Sequence, residues 1–309
     1  MIAILILFAQ EAAVTLETAD KTFGQQKYAE ALELYKTVGA AAEKDKNAQV
    51  LVEALAQVAR CLSLTGNLDE GKRWLGKAKL VASNEEPLGW SRYLGVRGIF
   101  ERESGDKKAA KATFVEMYEY CVAKKLPKRA VDAVHHVAIV VPPEEQPEWA
   151  MKGIAEAEKL KDDGWLAVLW NNLGATYEDL KKPEKALEAY LKARDYHYKG
   201  TNEHRKLAAD WAVAHAQRLC GKHEEARIGL EKALAWAGKR HAAEPSKETL
   251  EWVGWCKKDL GESIAALGDR PKGLALLKEA RAALVESGIE AWWAEGLKQV
   301  DESIKALEK

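Results

Sequence analysis

The sequence predicts an all-α chain, a solenoid of seven helix-turn-helix repeats closed by a C-terminal helix. Three observations carry this. Apolar residues recur at spacings of three and four, the mark of amphipathic helices. They do so in similar segments of about 40 residues, each with a small residue at a fixed register. The 309 residues include only 22 Gly and 8 Pro, too few for a chain of tight β turns. The balance of 47 Lys+Arg against 48 Asp+Glu lacks the basic excess of a nucleic-acid binder, so no nucleic-acid partner is expected. At 47% hydrophobic and 31% charged, the chain is neither disordered nor a multi-span membrane protein.

Residues 1–11 form an apolar lead, from Met1-Ile2-Ala3-Ile4-Leu5-Ile6 through Leu7-Phe8-Ala9 to the polar pair Gln10-Glu11. The run is shorter than the ~20 residues a spanning helix needs. It reads either as the first turns of helix one or as the apolar part of a short secretory signal. Against the signal, no Lys or Arg precedes it, and Leu7 stands where a small residue is preferred before cleavage. The expectation is a cytoplasmic protein, with export as the alternative.

Seven copies of one pattern fill residues 12–287, starting near Ala12, Val52, Ser91, Val131, Ala167, Leu207 and Gly254. The plainest copy runs Trp170-Asn171-Asn172-Leu173-Gly174-Ala175-Thr176-Tyr177, followed by Ala186, Tyr190 and Ala193. Trp170, Leu173, Tyr177 and Leu180 share one helical face, and Gly174 admits a close partner helix. In the second helix of each copy the close-packing position holds Ala31, Gly71, Ala110, Ala150, Ala186, Ala226 or Gly273. Gly66-Asn67, Gly105-Asp106, Gly221-Lys222 and Gly268-Asp269 supply left-handed helix ends. Copy four instead carries Val141-Pro142-Pro143-Glu144-Glu145-Gln146-Pro147, with Pro147 suited to a first helical turn. Residues 288–309 form a cap. Trp293, Leu297, Val300, Ile304 and Leu307 make one apolar stripe, with Trp292 beside it and able to widen it.

The spacing W-x2-L-G-x2-Y, then Ala186, Tyr190 and Ala193, resembles the tetratricopeptide repeat (TPR). The units are longer than that family's usual ~34 residues. In length they are similar to the repeats of kinesin light chains and of large LuxR-type maltose regulators. The family's closing Pro is absent from the best copy, where Tyr198 stands. The resemblance implies a right-handed α-solenoid whose first helices line a concave groove that receives a protein or peptide partner. The family's groove positions fall here on Gln57, Arg60, Arg92, His135, His136, Asn171, Asn172, Trp211, His215, Arg218, Trp255, Lys258 and Glu262. Asn can donate to and accept from a peptide backbone, and Arg can fork onto a carboxylate. The family's two-carboxylate clamp set of Lys and Asn is not present. Asp20, Glu53, Asp132, Glu178, Asp179 and Asp259 add acidity to the same faces.

Other motifs dissolve into the repeat. Gly66 to Arg73 reads GxxxxGK but lacks the Ser/Thr and the preceding strand of a phosphate loop. Gly261-Glu262-Ser263-Ile264-Ala265 lacks the last glycine and the strand of a nucleophile elbow. Cys61, Cys121, Cys220 and Cys256 form no CxxC pair, which suits reduced core thiols. There is no HExxH, and adjacent His135 and His136 point about 100° apart on a helix. No metal, cofactor or catalytic set is expected. The expected function is a non-catalytic interaction scaffold, the alternative a ligand- or peptide-sensing module acting on a separate effector.

Overall fold

The computed structural model describes residues 15–309, so the apolar lead expected at 1–11 lies outside the described residues. Those described form helices and short turns, with no strand among them. They divide into two compact units between Val141 and Pro142. Unit 1 holds α1 (Leu16–Gly24), α2 (Tyr28–Lys44), α3 (Ala48–Leu64), α4 (Leu68–Val81), α5 (Pro87–Glu103), α6 (Lys107–Ala123) and α7 (Pro127–Val140). Unit 2 holds α8 (Gln146–Leu160), α9 (Asp163–Asp179), α10 (Pro183–Lys199), α11 (Glu203–Leu219), α12 (His223–Ala243), α13 (Lys247–Ala266), α14 (Arg270–Ser287) and α15 (Glu290–Glu308). The architecture is an all-α helical-repeat solenoid. Within each unit every helix packs on its successor. The odd-numbered helices α1, α3, α5 and α7 also touch in turn, as do α11, α13 and α15.

Local chemistry sets the helix ends. Asn47, Asp106, Asp162, Asn202, Ser246 and Asp269 each accept a backbone N–H of the first turn of the following helix. Gly66, Gly105, Gly221 and Gly268 sit at φ from +73° to +106° after α3, α5, α11 and α13, where a side chain would strain the backbone. Gln26 and Lys181 take the same conformation after α1 and α9, at φ 62° and 57°, without being glycine. The end of α7 is different: Val141 is extended and Pro142 follows. Proline has no N–H to continue a helix and disfavours helical geometry in the residue before it. This proline pair falls at the boundary between the two units. Pro147 lies in the first turn of α8.

The small second-helix residues Ala31, Ala110, Ala150, Ala186 and Ala226 are all buried, as are Gly71 and Gly273. Four residues beyond them stand Tyr35, Leu75, Phe114, Ile154, Tyr190, Leu230 and Leu277. These knobs fill thin cores shared between neighbouring helices, as repeat arrays require. A Cβ on Gly174 would lie 2.5 Å from the Tyr190 ring, so this glycine makes room for that tyrosine.

At the C-terminus Leu297, Val300 and Ile304 are buried against Leu277, Leu284 and Ile289, with Leu307 packed at the edge. Trp293 departs from the expected stripe. Its backbone is non-helical (φ −148°, ψ 67°), which turns the indole off the stripe and against Trp255, 5.0 Å away between ring centres. Trp292 is 66% exposed, so it does not widen the apolar stripe.

Candidate functional site

Each unit carries one polar network on its odd-numbered helices, beside one cleft. In unit 1 the network starts at Tyr35, whose hydroxyl donates to Asp20 at 2.5 Å and accepts from Gln57 Nε2 at 3.1 Å. Arg92 Nη2 donates to Asp20 at 2.8 Å, and its Nε reaches Glu53 at 3.4 Å. Arg129 Nη2 donates to the same Glu53 oxygen at 2.7 Å. Glu53 is therefore a buried carboxylate hub holding α3, α5 and α7 together. Burial pushes the Arg92 pKa down, but Asp20 and Glu53 outweigh it and raise it. For Arg129 burial and the nearby Arg92 prevail, and its pKa is lowered. Arg60 is held separately, by Glu103 at 2.6 Å and Ser63 at 2.8 Å.

The cleft of unit 1, about 320 Å³, is lined among others by Tyr28, Gln57, Arg60, Arg92, Arg129 and His136. His136 stacks on Phe114 with ring centres 4.8 Å apart, and its Nε2 lies 3.7 Å from Asp132. Burial lowers the pKa of both adjacent histidines; His135, beside His136 and Arg102, is brought down to about 4. Both are neutral at neutral pH.

In unit 2 the network again starts at a second-helix tyrosine. Tyr190 bonds Glu178, whose pKa is raised by burial against the lowering effect of His215 and of that bond. His215 stands between two carboxylates, Nδ1 2.8 Å from Asp259 and Nε2 3.6 Å from Glu178. Asp259 is the hub here. Arg218 Nε approaches it at 3.1 Å and Lys258 Nζ at 3.3 Å. Burial would raise the Asp259 pKa, yet His215, Lys258 and Arg218 hold it well below the usual carboxylate range. Arg218 and Lys258 also contact Glu262, at 2.6 and 3.1 Å. Ser303 of α15 donates to the other Glu262 oxygen at 2.6 Å.

The cleft of unit 2 is larger, about 760 Å³. Trp211, Trp255 and Trp293 form its aromatic wall, and Glu178, Asp179, Lys181, His215, Arg218, Lys258, Asp259 and Glu262 its polar lining. Trp211 stacks on His215 at 5.1 Å and meets Trp252 edge-on at 5.5 Å. Its buried Nε1 has no hydrogen-bond partner among the described residues. The same holds for Glu178 Oε1 and Glu262 Oε2, whose cationic neighbours approach off the hydrogen-bonding direction or too far away.

Of the groove positions expected from sequence, Gln57, Arg60, Arg92 and His136 line the first cleft. Trp211, His215, Arg218, Trp255, Lys258 and Glu262 line the second. His135, Asn171 and Asn172 are half-buried and line neither. Sequence reasoning did not single out Arg129 or Trp293 for a cleft. Arg129 falls outside the repeat's groove positions, and Trp293 leaves its helix. Glu53 and Asp259 were visible as acidic neighbours, not as hubs.

The GxxxxGK stretch forms a turn and the start of α4, with no strand before it. Ser263 is buried mid-helix and donates to the Asp259 carbonyl at 2.9 Å. Cys61, Cys121 and Cys256 are buried thiols, with burial pushing Cys61 and Cys256 up to about 12 and Cys121 to about 11. Among the described residues no group of three or more His, Cys, Asp or Glu could hold a metal ion, and no helix is long and apolar enough to cross a membrane.

Residues 167–195 match the family profile described as tetratricopeptide repeat. No curated protein matches the chain. Among solved structures, it is similar to a Signal Transduction ATPase with Numerous Domains protein with a tetratricopeptide repeat sensor from Pyrococcus horikoshii. The TM-score is 0.73 at 17% identity over 94% of this chain, which spans only 43% of that protein. The apo form of RapI gives a TM-score of 0.69 at 10% identity, covering 93% of this chain and 83% of that one. A Rap protein complexed with Competence and Sporulation Factor gives 0.54 at 14% identity, covering 96% and 87%. At these identities the likeness is one of fold. The chain carries a tetratricopeptide repeat within a TPR-type helical array.

Proposed function

We propose that this chain is a non-catalytic interaction scaffold that binds a segment of a partner polypeptide, with the cleft of unit 2 as its main seat. The observation that carries the reading is the aromatic wall of Trp211, Trp255 and Trp293 around about 760 Å³ of open space. Indoles in a concave site offer large contact area at little entropic cost, which is why they dominate binding hot spots. TPR-type arrays are generally interaction scaffolds, and the step from fold to function here is an analogy. A non-catalytic role fits the site. Among the described residues that line this cleft, His215 stands between two carboxylates and has no Ser or Cys beside it.

Selection from a random-peptide display library on the full chain tests the reading. Enriched peptides should bind wild type and lose at least about tenfold in affinity on Trp255→Ala. Enriched peptides that bind this variant as well as wild type would remove the cleft from the proposal.

A sensing role is the second reading. The solved relatives include a repeat sensor and a Rap protein bound to a factor. In this chain the Asp259 hub joins α11 and α13, so a ligand reaching it would act on two repeats together. Hydrogen exchange with a selected peptide bound separates the readings. Protection confined to contact residues supports a plain scaffold, while changed exchange throughout α9, α11 and α13 supports sensing.

A further inference from the structure

Among the described residues, the unit 2 cleft is lined by one carboxylate more than it has permanent cations. Four carboxylates line it, Glu178, Asp179, Asp259 and Glu262, against the permanent cations Lys181, Arg218 and Lys258. Two of those cations are already occupied. Arg218 and Lys258 each contact both Asp259 and Glu262, within 2.6 to 3.3 Å. An incoming carboxylate would have to displace Asp259, a fully buried group that its neighbours hold ionised. The acceptors are less well served. Glu178 Oε1 is buried without a hydrogen-bond partner among the described residues, with His215 Nε2 3.6 Å away, and Asp179 is exposed.

The aromatic wall beside these carboxylates is built, not incidental. Trp293 leaves helical geometry inside α15 and stands against Trp255. A Cβ at Gly296 would lie 2.6 Å from the Trp293 ring and 3.0 Å from Trp255, so glycine is required there for the two indoles to pair. Glycine inside a helix and a non-helical residue beside it both work against α15. Neither contributes to the apolar stripe of the cap. Indole faces attract cations through the ring quadrupole, most strongly where water is partly excluded.

We propose that the unit 2 cleft receives the cationic side chain of a lysine or arginine from the partner segment, its charge over the Trp255–Trp293 pair and directed at Glu178 and Asp179. This rests on the partner-binding reading above and adds the chemistry of the recognised residue. It inverts the carboxylate recognition that a basic groove would provide.

The test uses the full chain with 15N-labelled tryptophan, the Trp255 and Trp293 indole signals being assigned from single Trp→Phe variants. The probes are capped pentapeptides Gly-Gly-X-Gly-Gly, with X lysine, arginine, norleucine or glutamate, and free spermidine. Lysine and arginine peptides should shift both signals saturably, with norleucine and glutamate at least about tenfold weaker. The exposed Asp179→Asn should weaken the lysine peptide, and Glu178→Gln should weaken it further. Trp293→Leu should abolish the response at Trp255, while circular dichroism checks that each variant is folded. Equal shifts from norleucine, stronger shifts from glutamate, a response to spermidine alone, or no response to any probe would each overturn the proposal. The display selection keeps the two ideas apart. Peptides that depend on Trp255 but carry Asp or Glu in place of Lys or Arg would retain the partner reading and sink this one. Selected peptides that bind independently of the cleft would sink the partner reading itself.

Discussion

The two units solve one problem in two ways. Each has a tyrosine four residues beyond the small close-packing residue, Tyr35 in α2 and Tyr190 in α10, where the other five repeats have Leu, Phe or Ile. Each hydroxyl reaches a carboxylate on an odd-numbered helix, Asp20 or Glu178, and a polar network begins there. Unit 1 runs its network from α1 through α3, α5 and α7, with Glu53 as hub and arginines around it. Unit 2 runs it through the C-terminal halves of α9, α11 and α13, with Asp259 as hub. Only unit 2 sets three indoles beside its network. One buried phenol per unit is therefore enough to seed a polar network inside an otherwise apolar repeat core, since its hydroxyl must find a partner. What the network is used for depends on the residues that line the space next to it.

The sharpest way to break this parallel is to remove a hub. Asp259 is 1% exposed and touches His215, Arg218 and Lys258. Asp259→Ala should destabilise unit 2 by about 3–5 kcal/mol, because two buried cations, Arg218 and Lys258, are left sharing the one carboxylate of Glu262. Urea unfolding followed with probes placed in each unit would read this, and a loss under about 1 kcal/mol would refute the hub role.

Removing the other hub should cost less. Glu53→Ala leaves Arg92 with Asp20 and strips Arg129 of its carboxylate, but these arginines are more exposed than Arg218 and Lys258, so about 2–3 kcal/mol is expected. A larger loss than for Asp259→Ala would reverse the ranking of the two networks.

Acid should distinguish the units next. An unfolded histidine takes up its proton near 6.5, while His135 in the fold does so at about 4. Its folded pKa is depressed, so the cost of charging it is absent above about 6.5 and grows as pH falls towards 4. Burial lowers it first, His136 and Arg102 add to this, and Asp132 opposes them. Replacing it by Gln should flatten the loss of unit 1 stability between those pH values, by on the order of 2 kcal/mol at the acid end. An unchanged pH slope in the variant would show that His135 is not the group responsible.

The smallest effect concerns the helix ends. Lys181 occupies at φ 57° the place that Gly221 fills at φ 73° in the next repeat. Lys181→Gly should stabilise unit 2 by about 0.5–1 kcal/mol, and Gly221→Ala should destabilise it by a similar amount. Thermal melts of both variants check the pair, and shifts of the same sign would contradict the backbone reasoning.

Much of this architecture was legible in the residues. The small-residue register, the glycine turns and the helical stripes are local, and local periodicity is what a linear sequence displays. The tyrosines at 35 and 190 were visible at signature positions too, although their hydroxyls read only as aromatic knobs. The groove positions transferred from the repeat brought six side chains to the second cleft. His135, Asn171 and Asn172 line neither cleft, because a side chain's exposure depends on which neighbours stack beside it.

By itself the sequence determined the repeat, its helices, the small residues that let helices approach and the polar residues that cap them. Tertiary structure alone decided the hubs, because Arg92 and Asp20 are 72 positions apart and His215 and Asp259 are 44 apart. It alone turned Trp293 off the cap stripe and beside Trp255. Periodicity assigns a residue to a face of an ideal helix, and Trp293 is the residue at which α15 ceases to be one.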